Sequence, residues 1–235
     1  MEIKASQVKE LRDMTGVAMM ECKKALVECE GNIEKALDLL RSNSALKAEK
    51  KAARVAADGV LKIFVGNEYA TLIEINSETD FAAKDSNFIN FTNEVNDFIS
   101  SNQISDISEL LESEIEDKRK TLVQTIGENI QLRRLDTKEF TSDMSAGSYL
   151  HSDSKLGAVV ILSGGDESLA KDIAMHVAAF NPLCLSESDL DPEILEREKA
   201  IYIVQAEESG KPKEIMDKMI EGKLKRFLSE VSLLS

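Results

Sequence analysis

Residues 60–81, VLKIFVGNEYATLIEINSETDF, decide the fold of this chain. Two runs rich in β-branched and aromatic residues, Val60–Val65 and Glu68–Ile75, are separated by Gly66-Asn67. A Gly/Asn pair between two such runs is typical of a two-residue turn that joins antiparallel strands. The segment therefore predicts a β-hairpin, and the other parts of the chain are interpreted relative to it.

Both faces of the predicted hairpin carry apolar side chains. Neighbouring residues of a strand point to opposite faces, and a face exposed to water would be largely polar. One face holds Leu61, Ile63, Val65, Ala70 and Leu72, and the other holds Val60, Phe64, Tyr69, Ile73 and Ile75. We therefore expect other elements to cover both faces, at least in part.

The hairpin ends in a corner, Thr79-Asp80-Phe81, that places an acid beside an aromatic residue. A helix is predicted to follow, capped by Asp85 or Ser86. One interpretation makes Asp80 a helix N-cap with Phe81 packed beneath it, because caps and core aromatics are common. The other makes the corner a contact site for a partner, carried on a loop.

Helical periodicity governs the N-terminal part of the chain. Apolar residues at helical spacing, interrupted at residues 15–16 and 31–32, predict three short helices that end near residue 45. Met14 shares the apolar spacing of Val8 and Leu11 in the first of these helices. A charged stretch rich in Ala and Lys, residues 47–57, then predicts a helical linker.

The region after the hairpin combines helices with further strands. Helices are predicted around Ile107–Ile115 and Lys118–Ile126, with Gly127 as a C-cap, and a third strand from Asn129 to Phe140. A second unit of two strands and a helix follows from Gly147. It repeats the order of elements of the first unit, which suggests an internal duplication.

The last part of the chain predicts a pair of antiparallel helices. Apolar residues recur at helical spacing on both sides of the turn Ser209-Gly210-Lys211-Pro212. Two helices alone make a narrow apolar seam, so self-association or a partner is expected to cover the rest.

Composition excludes several classes of function. The 235 residues carry 29 basic and 43 acidic side chains, a net charge of −14, which argues against direct binding of nucleic acid. Three cysteines without metal-ligand spacing fit a reduced cytoplasmic protein. We expect no membrane association either, because no apolar run approaches the ~18 residues that a spanning helix needs.

No catalytic constellation emerges from the sequence. His176 lies on an apolar helical stripe and is expected in the core, whereas His151 lies beside a polar turn and is expected at the surface. The Gly210-Lys211-Pro212-Lys213 segment lacks the first Gly and the Ser/Thr of a phosphate loop. A hydrolase or transferase is therefore the weakest hypothesis, and no catalytic residue, metal ligand or cofactor is predicted.

Five ordered motifs resemble the bacterial elongation factor Ts family over essentially the whole chain. They are residues 11–26 (LRDMTGVAMMECKKAL), Ala56-Ala57-Asp58-Gly59, the Thr79-Asp80-Phe81 corner, residues 126–130 (IGENI) with Arg133-Arg134, and residues 175–179 (MHVAA). The resemblance implies a guanine nucleotide exchange factor of translation elongation that binds elongation factor Tu with GDP and, without covalent catalysis, promotes GDP release.

The resemblance also implies an α+β fold. It consists of an N-terminal ubiquitin-associated-like three-helix module, a two-part core of antiparallel sheets with helices, and a C-terminal antiparallel coiled-coil hairpin. The implied organisation is a partner-binding module at 1–46, a helical linker at 47–57, core halves at 58–141 and 142–186, the hairpin at 187–230 and a tail at 231–235.

The family's functional residues carry over by position. The resemblance implies that Thr79, Asp80, Phe81 and Ala82 displace the partner's Mg²⁺. The family more often has Val at the position of Ala82. Contacts to the partner, in GDP-bound and nucleotide-free forms, fall on Leu11, Arg12, Met19, Met20, Lys23, Ile126, Gly127, Glu128 and His151. One of the two methionines, Met19 or Met20, is expected to pack in the core.

One departure from the family pattern concerns the C-terminus. Family members usually return from the coiled coil to complete the second sheet and add a further module, whereas this sequence ends at Ser235. We therefore expect an incomplete second half of the core. The alternative function is a non-exchanging adaptor or chaperone-like binder that holds a partner without displacing its nucleotide.

Overall fold

The predicted hairpin forms the centre of the structure. In the computed structural model, which describes residues 3–234, strands β1 (Asp58–Val65) and β2 (Tyr69–Ser77) pair antiparallel. Strand β3 (Gln131–Glu139) joins the other edge of β2, so that β2 is the central strand. The third strand predicted between Asn129 and Phe140 is confirmed.

Three helices cover one face of this sheet: α5 (Ser86–Asn102), α6 (Ile107–Leu111) and α7 (Glu114–Ile126). A short helix, α4 (Asp80–Ala83), precedes them. The fully buried members of this core are Ile73, Ile75, Phe88, Val95, Ile99, Leu110, Ile115, Val123 and Ile130.

The helix predicted around Ile107–Ile115 is divided in two. The Ser113 hydroxyl accepts a hydrogen bond from the Ile115 N–H and caps a new helix, so α7 begins earlier than Lys118. Side-chain capping by serine competes with continuation of the preceding helix. Gly127, with φ of 89°, ends α7 as predicted.

The second face of the hairpin packs against a two-stranded antiparallel sheet, β4 (Met144–Leu150) and β5 (Gly157–Ser163). The small core between the sheets contains Val65, Ala70, Phe140, Ala146, Val159 and Ile161. Both hairpin faces are therefore covered, as predicted. The mixture of helices with two antiparallel sheets confirms the α+β class.

The N-terminal helices are α1 (Ala5–Thr15), α2 (Met19–Glu28) and α3 (Ile33–Lys51). Their common core contains Val8, Leu11, Val17, Cys22, Ala25, Leu26, Ala36 and Leu40. Met14, which shares the apolar spacing of Val8 and Leu11, is exposed.

The predicted linker is only partly helical. Helix α3 continues to Lys51 because Ala48 is buried in the core beside α7, and residues 52–57 form a turn and extended chain. The amide of Asn129 donates a hydrogen bond of 2.8 Å to the Arg54 carbonyl and so satisfies this non-helical backbone. The prediction of a helix throughout residues 47–57 was therefore wrong.

The chain forms two compact units, one ending at Lys171 and the other beginning at Asp172, within helix α8 (Glu167–Phe180). In the second unit, α9 (Pro192–Glu208) and α10 (Lys213–Val231) pack against each other as the predicted helical pair. Among the described residues of the two helices, Ala206 alone is fully buried. Self-association through this seam stays a prediction.

The end of α10 returns to the segment that precedes α9. The Leu183 N–H donates to the Val231 carbonyl at 2.8 Å, and the Leu233 N–H donates to the Cys184 carbonyl at 3.0 Å. Met1, Glu2 and Ser235, the outer ends of the first predicted module and of the predicted tail, lie outside the described residues. Between residues 3 and 234, no helix is both long enough and apolar enough to cross a membrane.

Candidate partner-binding site

The corner after β2 presents an aromatic ring to solvent. Thr79 has extended backbone and is the N-cap of α4, because its hydroxyl oxygen accepts a hydrogen bond of 3.2 Å from the Ala82 N–H. Phe81 is 81% exposed, whereas Ala82 and Ala83 occupy the buried side of the turn. The interpretation with Asp80 as the cap and Phe81 packed beneath it was therefore wrong, because Asp80 already belongs to the helix.

Asp80 lies beside the exposed ring as an ionised group. Its carboxylate accepts a hydrogen bond of 2.8 Å from the Lys84 ammonium, one helical turn later. This hydrogen bond holds the pKa of Asp80 below the ordinary aspartate value. The corner therefore offers an Asp80–Lys84 ion pair and, next to Asp80 in sequence, an exposed apolar ring.

The loop after α7 holds the corner from behind. The Glu128 carboxylate accepts hydrogen bonds from the Thr79 N–H at 2.9 Å and from the Thr79 hydroxyl at 2.7 Å. In the opposite direction, the Asn129 N–H donates to the Glu78 carboxylate at 2.7 Å. The structure thus brings Glu128 together with the predicted Mg²⁺-displacing corner, a contact that no sequence spacing indicated.

The other two residues of the predicted IGE segment differ in accessibility. Ile126 is half-buried and packs against the main core, whereas Gly127 is exposed. The Gly127 carbonyl accepts a hydrogen bond from the Lys51 ammonium. This end of α7 is therefore tied to the end of α3.

The N-terminal module carries an exposed apolar surface on α2. Met19 and Met20 are 51% and 64% exposed, so the expectation that core packing takes one of them was wrong. Arg12 and Lys23 are exposed too. Leu11 is 0% exposed, which makes it a support for this surface and leaves its side chain no area for contact.

Sequence reasoning missed two exposed residues on the same module, Met14 and Val27. A signal existed for the second, because Met20, Lys23 and Val27 recur at helical spacing and so lie on one face of α2. We refer to Met19, Met20 and Val27, all on α2, as the methionine surface. Flexible, polarisable methionines suit adaptable protein interfaces.

The two histidines are both exposed. His151 follows β4, with its Nδ1 at 2.9 Å from the Asp153 carboxylate, as expected for a polar turn. His176 is also exposed and stacks on Phe180 with ring centroids 4.4 Å apart, so its predicted core position was wrong. The buried line of α8 consists of the small residues Ala170, Ala174 and Ala178.

The turn that contains His151 is attached to the start of β1. The Leu61 N–H donates to the Ser154 carbonyl at 2.6 Å, and the Lys155 ammonium lies 2.8 Å from the Asp58 carboxylate. The hydrogen bond from Lys155 lowers the pKa of Asp58. Because Asp58 pairs with Ser77, these contacts attach the turn to the same end of the hairpin as the corner.

The chemistry of these surfaces fits a protein ligand. Exposed aromatic and methionine side chains beside charged groups are typical of protein interfaces. Among residues 3–234, no group of three or more His, Cys, Asp or Glu side chains is arranged to hold a metal ion. The three cysteines are free thiols.

Comparison with known proteins identifies the family. The family model described as Elongation factor TS matches residues 78–235. The chain is 51% identical to Elongation factor Ts of Hahella chejuensis, over 99% of this chain and 81% of that protein. It is 50% identical to that of Marinobacter nauticus (99% and 80%) and 44% identical to that of Thioalkalivibrio sulfidiphilus (100% and 82%).

These relatives place the chain among the factors of translation elongation. The chain belongs to the elongation factor Ts family, and its role is nucleotide exchange in translation elongation.

Proposed function

We propose that the chain binds the GTPase elongation factor Tu, in its GDP-bound and nucleotide-free forms, and accelerates GDP release by disturbing the Mg²⁺ and phosphate site. The observation that carries this proposal is the exposed Phe81 ring beside the ionised Asp80 on a capped turn. The factor acts in the cytoplasm by binding alone, without covalent catalysis, a cofactor or a metal of its own.

Nucleotide exchange requires a partner that binds the nucleotide-free GTPase more tightly than the loaded one. By linkage, the factor and the nucleotide then weaken each other's binding by the same factor. Nanomolar binding of GDP corresponds to about 12 kcal/mol. Because no single side chain offsets that much free energy, several contact regions have to act together.

The contact regions divide into a grip and a wedge. The methionine surface with Arg12 and Lys23 grips the GTPase, assisted by Ile126, Gly127 and His151. Phe81 enters the packing around the GTPase's Mg²⁺ site, and Asp80 perturbs polar groups there, because Mg²⁺ demands near-ideal geometry from oxygen ligands. Leu11 and Ala82 are buried and support the grip and the wedge from below.

Release of labelled GDP from elongation factor Tu tests the wedge. Phe81→Ala and Asp80→Asn should each slow the accelerated release at least tenfold, as expected for contacts at the centre of an interface. The exposed Leu111→Ala is the matched apolar control and should behave as the wild type. Unchanged release with both corner variants would contradict the wedge.

The same assay separates exchange from the adaptor hypothesis. A wild-type chain that forms a complex with elongation factor Tu, detected by its mass, but leaves the rate of GDP release unaltered would be an adaptor. Complex formation with accelerated release supports the exchange function.

A further inference from the structure

Two short segments, residues 78–79 and 128–129, exchange hydrogen bonds in both directions. Glu128 accepts from the N–H and the hydroxyl of Thr79, at 2.9 and 2.7 Å. Glu78 accepts from the Asn129 N–H at 2.7 Å. Each segment thus supplies a carboxylate to a backbone amide of the other. We call this arrangement the reciprocal clamp.

The Thr79 hydroxyl links the clamp to the turn that carries Phe81. It donates its hydrogen to Glu128 and accepts a hydrogen bond from the Ala82 N–H. Donation to Glu128 orients the hydroxyl so that an oxygen lone pair faces the first turn of α4. Hydrogen bonds to a carboxylate are roughly twice as strong as those between neutral groups. The capping geometry of α4 therefore depends on a residue 49 positions away in sequence.

The loop that supplies Glu128 is itself held in place. Asn129 is almost fully buried and donates to the Arg54 carbonyl at 2.8 Å. The Gly127 carbonyl accepts a hydrogen bond from the Lys51 ammonium. Glu128 thus projects from a fixed backbone, and its carboxylate can impose a position on Thr79.

We propose that Glu128 is a positioning residue for the wedge: it holds Thr79 so that α4 presents Phe81 and Asp80 in one orientation. In this role Glu128 acts through Thr79 and not through a contact of its own with the GTPase. The proposal rests on the proposed function, because orientation of the wedge matters only if the wedge drives exchange.

A fluorine label on the Phe81 ring tests the clamp in the free chain. With 4-fluorophenylalanine at position 81, Glu128→Gln should change the chemical shift or line width of the ¹⁹F signal, because an amide presents an N–H₂ group to one of the two Thr79 donors. The exposed Glu139→Gln, which removes the same charge, should leave the signal unchanged. A signal identical to the wild type in Glu128→Gln would overturn the proposal, whatever the exchange activity.

Kinetics of GDP release from elongation factor Tu separate positioning from direct contact. Positioning predicts that Glu128→Gln lowers the maximal rate at saturating factor about tenfold, the loss expected for one charge-assisted hydrogen bond. The factor concentration that gives half-maximal rate should change little. A raised half-maximal concentration with an unchanged maximal rate would overturn the proposal in favour of direct contact.

A double-mutant cycle identifies Thr79 as the intermediary. Thr79→Val removes the hydroxyl that Glu128 orients, so Glu128→Gln should cost less in that background than in the wild type. Fully additive losses would argue against action through Thr79. If the wild-type chain fails to accelerate release, the proposed function fails, while the ¹⁹F signal still reports whether the clamp exists.

Discussion

At the scale of single residues, two phenylalanines seven positions apart have opposite environments. Phe88 is 0% exposed in the main core, whereas Phe81 is exposed on the turn that precedes it. Burial of an aromatic side chain contributes several kcal/mol to folding, and an exposed one contributes little. The pair therefore separates a contribution to stability from the proposed function.

Phe88→Ala should lower the free energy of unfolding by about 3–5 kcal/mol, the usual cost of emptying an aromatic core position. Phe81→Ala should change it by less than about 0.5 kcal/mol. Chemical denaturation followed by circular dichroism measures both values. A large loss of stability in Phe81→Ala would mean that the ring is packed in solution, contrary to its exposed position here.

At the scale of secondary-structure elements, a bulge in β3 explains why two adjacent arginines bind one carboxylate. Glu74 on β2 lies opposite Arg134, while Ile75 lies opposite Leu132, so Arg133 is the extra residue of a bulge. Both guanidinium groups reach Glu74, at 2.8 Å from Arg133 and 2.5 Å from Arg134. A bulge re-aims side chains that would otherwise point to opposite faces.

Glu74 should make the stability of the sheet depend on pH. Burial raises the pKa of Glu74, but the hydrogen bonds from Arg134 and Arg133 lower it by more, so the net shift is downward. A lowered pKa in the folded state stabilises the fold above the unfolded-state value of about 4.3, and this contribution disappears as pH falls through the folded-state value.

Glu74→Gln should accordingly be less stable than the wild type at about pH 6 and should lose less stability on going to about pH 3.5. Urea denaturation at the two pH values measures the difference. Equal pH dependence in variant and wild type would show that Glu74 does not carry it.

Two glycines show how much the surroundings of an element matter. A Cβ on Gly222, within α10, would meet no atom within 4 Å, whereas a Cβ on Gly147 in β4 would lie 2.3 Å from the Lys171 nitrogen. Gly222→Ala should therefore stabilise the helical pair by about 0.5–1 kcal/mol. Gly147→Ala should destabilise the fold by about 1–3 kcal/mol.

Thermal melting of the two glycine variants checks this expectation. A melting temperature that rises in Gly222→Ala and falls in Gly147→Ala is the expected pattern. The opposite order would mean that α8 does not pass as close to β4 as the structure indicates.

At the scale of the whole molecule, the module, α7 and the corner are joined through hydrogen bonds. The Lys47 ammonium pairs with Glu21, and the Gln124 amide also donates to Glu21, at 3.0 Å. Helix α2, which carries the methionine surface, is thus connected to α7, whose end supplies Glu128. The proposed grip and the proposed wedge are thus joined by a continuous chain of hydrogen bonds.

The double variant Met19→Ala/Met20→Ala should weaken binding to elongation factor Tu about tenfold or more, because two exposed interface anchors are lost. Its stability should stay close to that of the wild type, since neither side chain is buried. Isothermal titration calorimetry measures the affinity.

Leu26→Ala on the same helix is the contrasting control, which should lose about 2–5 kcal/mol of stability because Leu26 is fully buried. Unchanged affinity in the methionine variant would contradict the grip.

Features that depend on local chemistry were predictable from the sequence. The antiparallel hairpin, the cover on both its faces, the C-cap at Gly127 and the helical pair around Pro212 all follow from turn residues and apolar spacing. The predicted two-residue turn Gly66-Asn67 was wrong, because β2 begins at Tyr69 and Val65 pairs with Ala70. The ordered motifs likewise indicated the family. These signals need only neighbouring residues to be interpreted.

Tertiary structure alone decided how the site is built. Sequence alone could not rule out Asp80 as the cap or show that Phe81 is exposed, because both depend on Ala82 and Ala83 taking the buried side of the turn. Nor could it bring Glu128 to Thr79, since a contact between residues 49 positions apart arises only when α7 packs against the sheet. Local rules fix which elements form, and competition for buried space fixes which side chains remain for a partner.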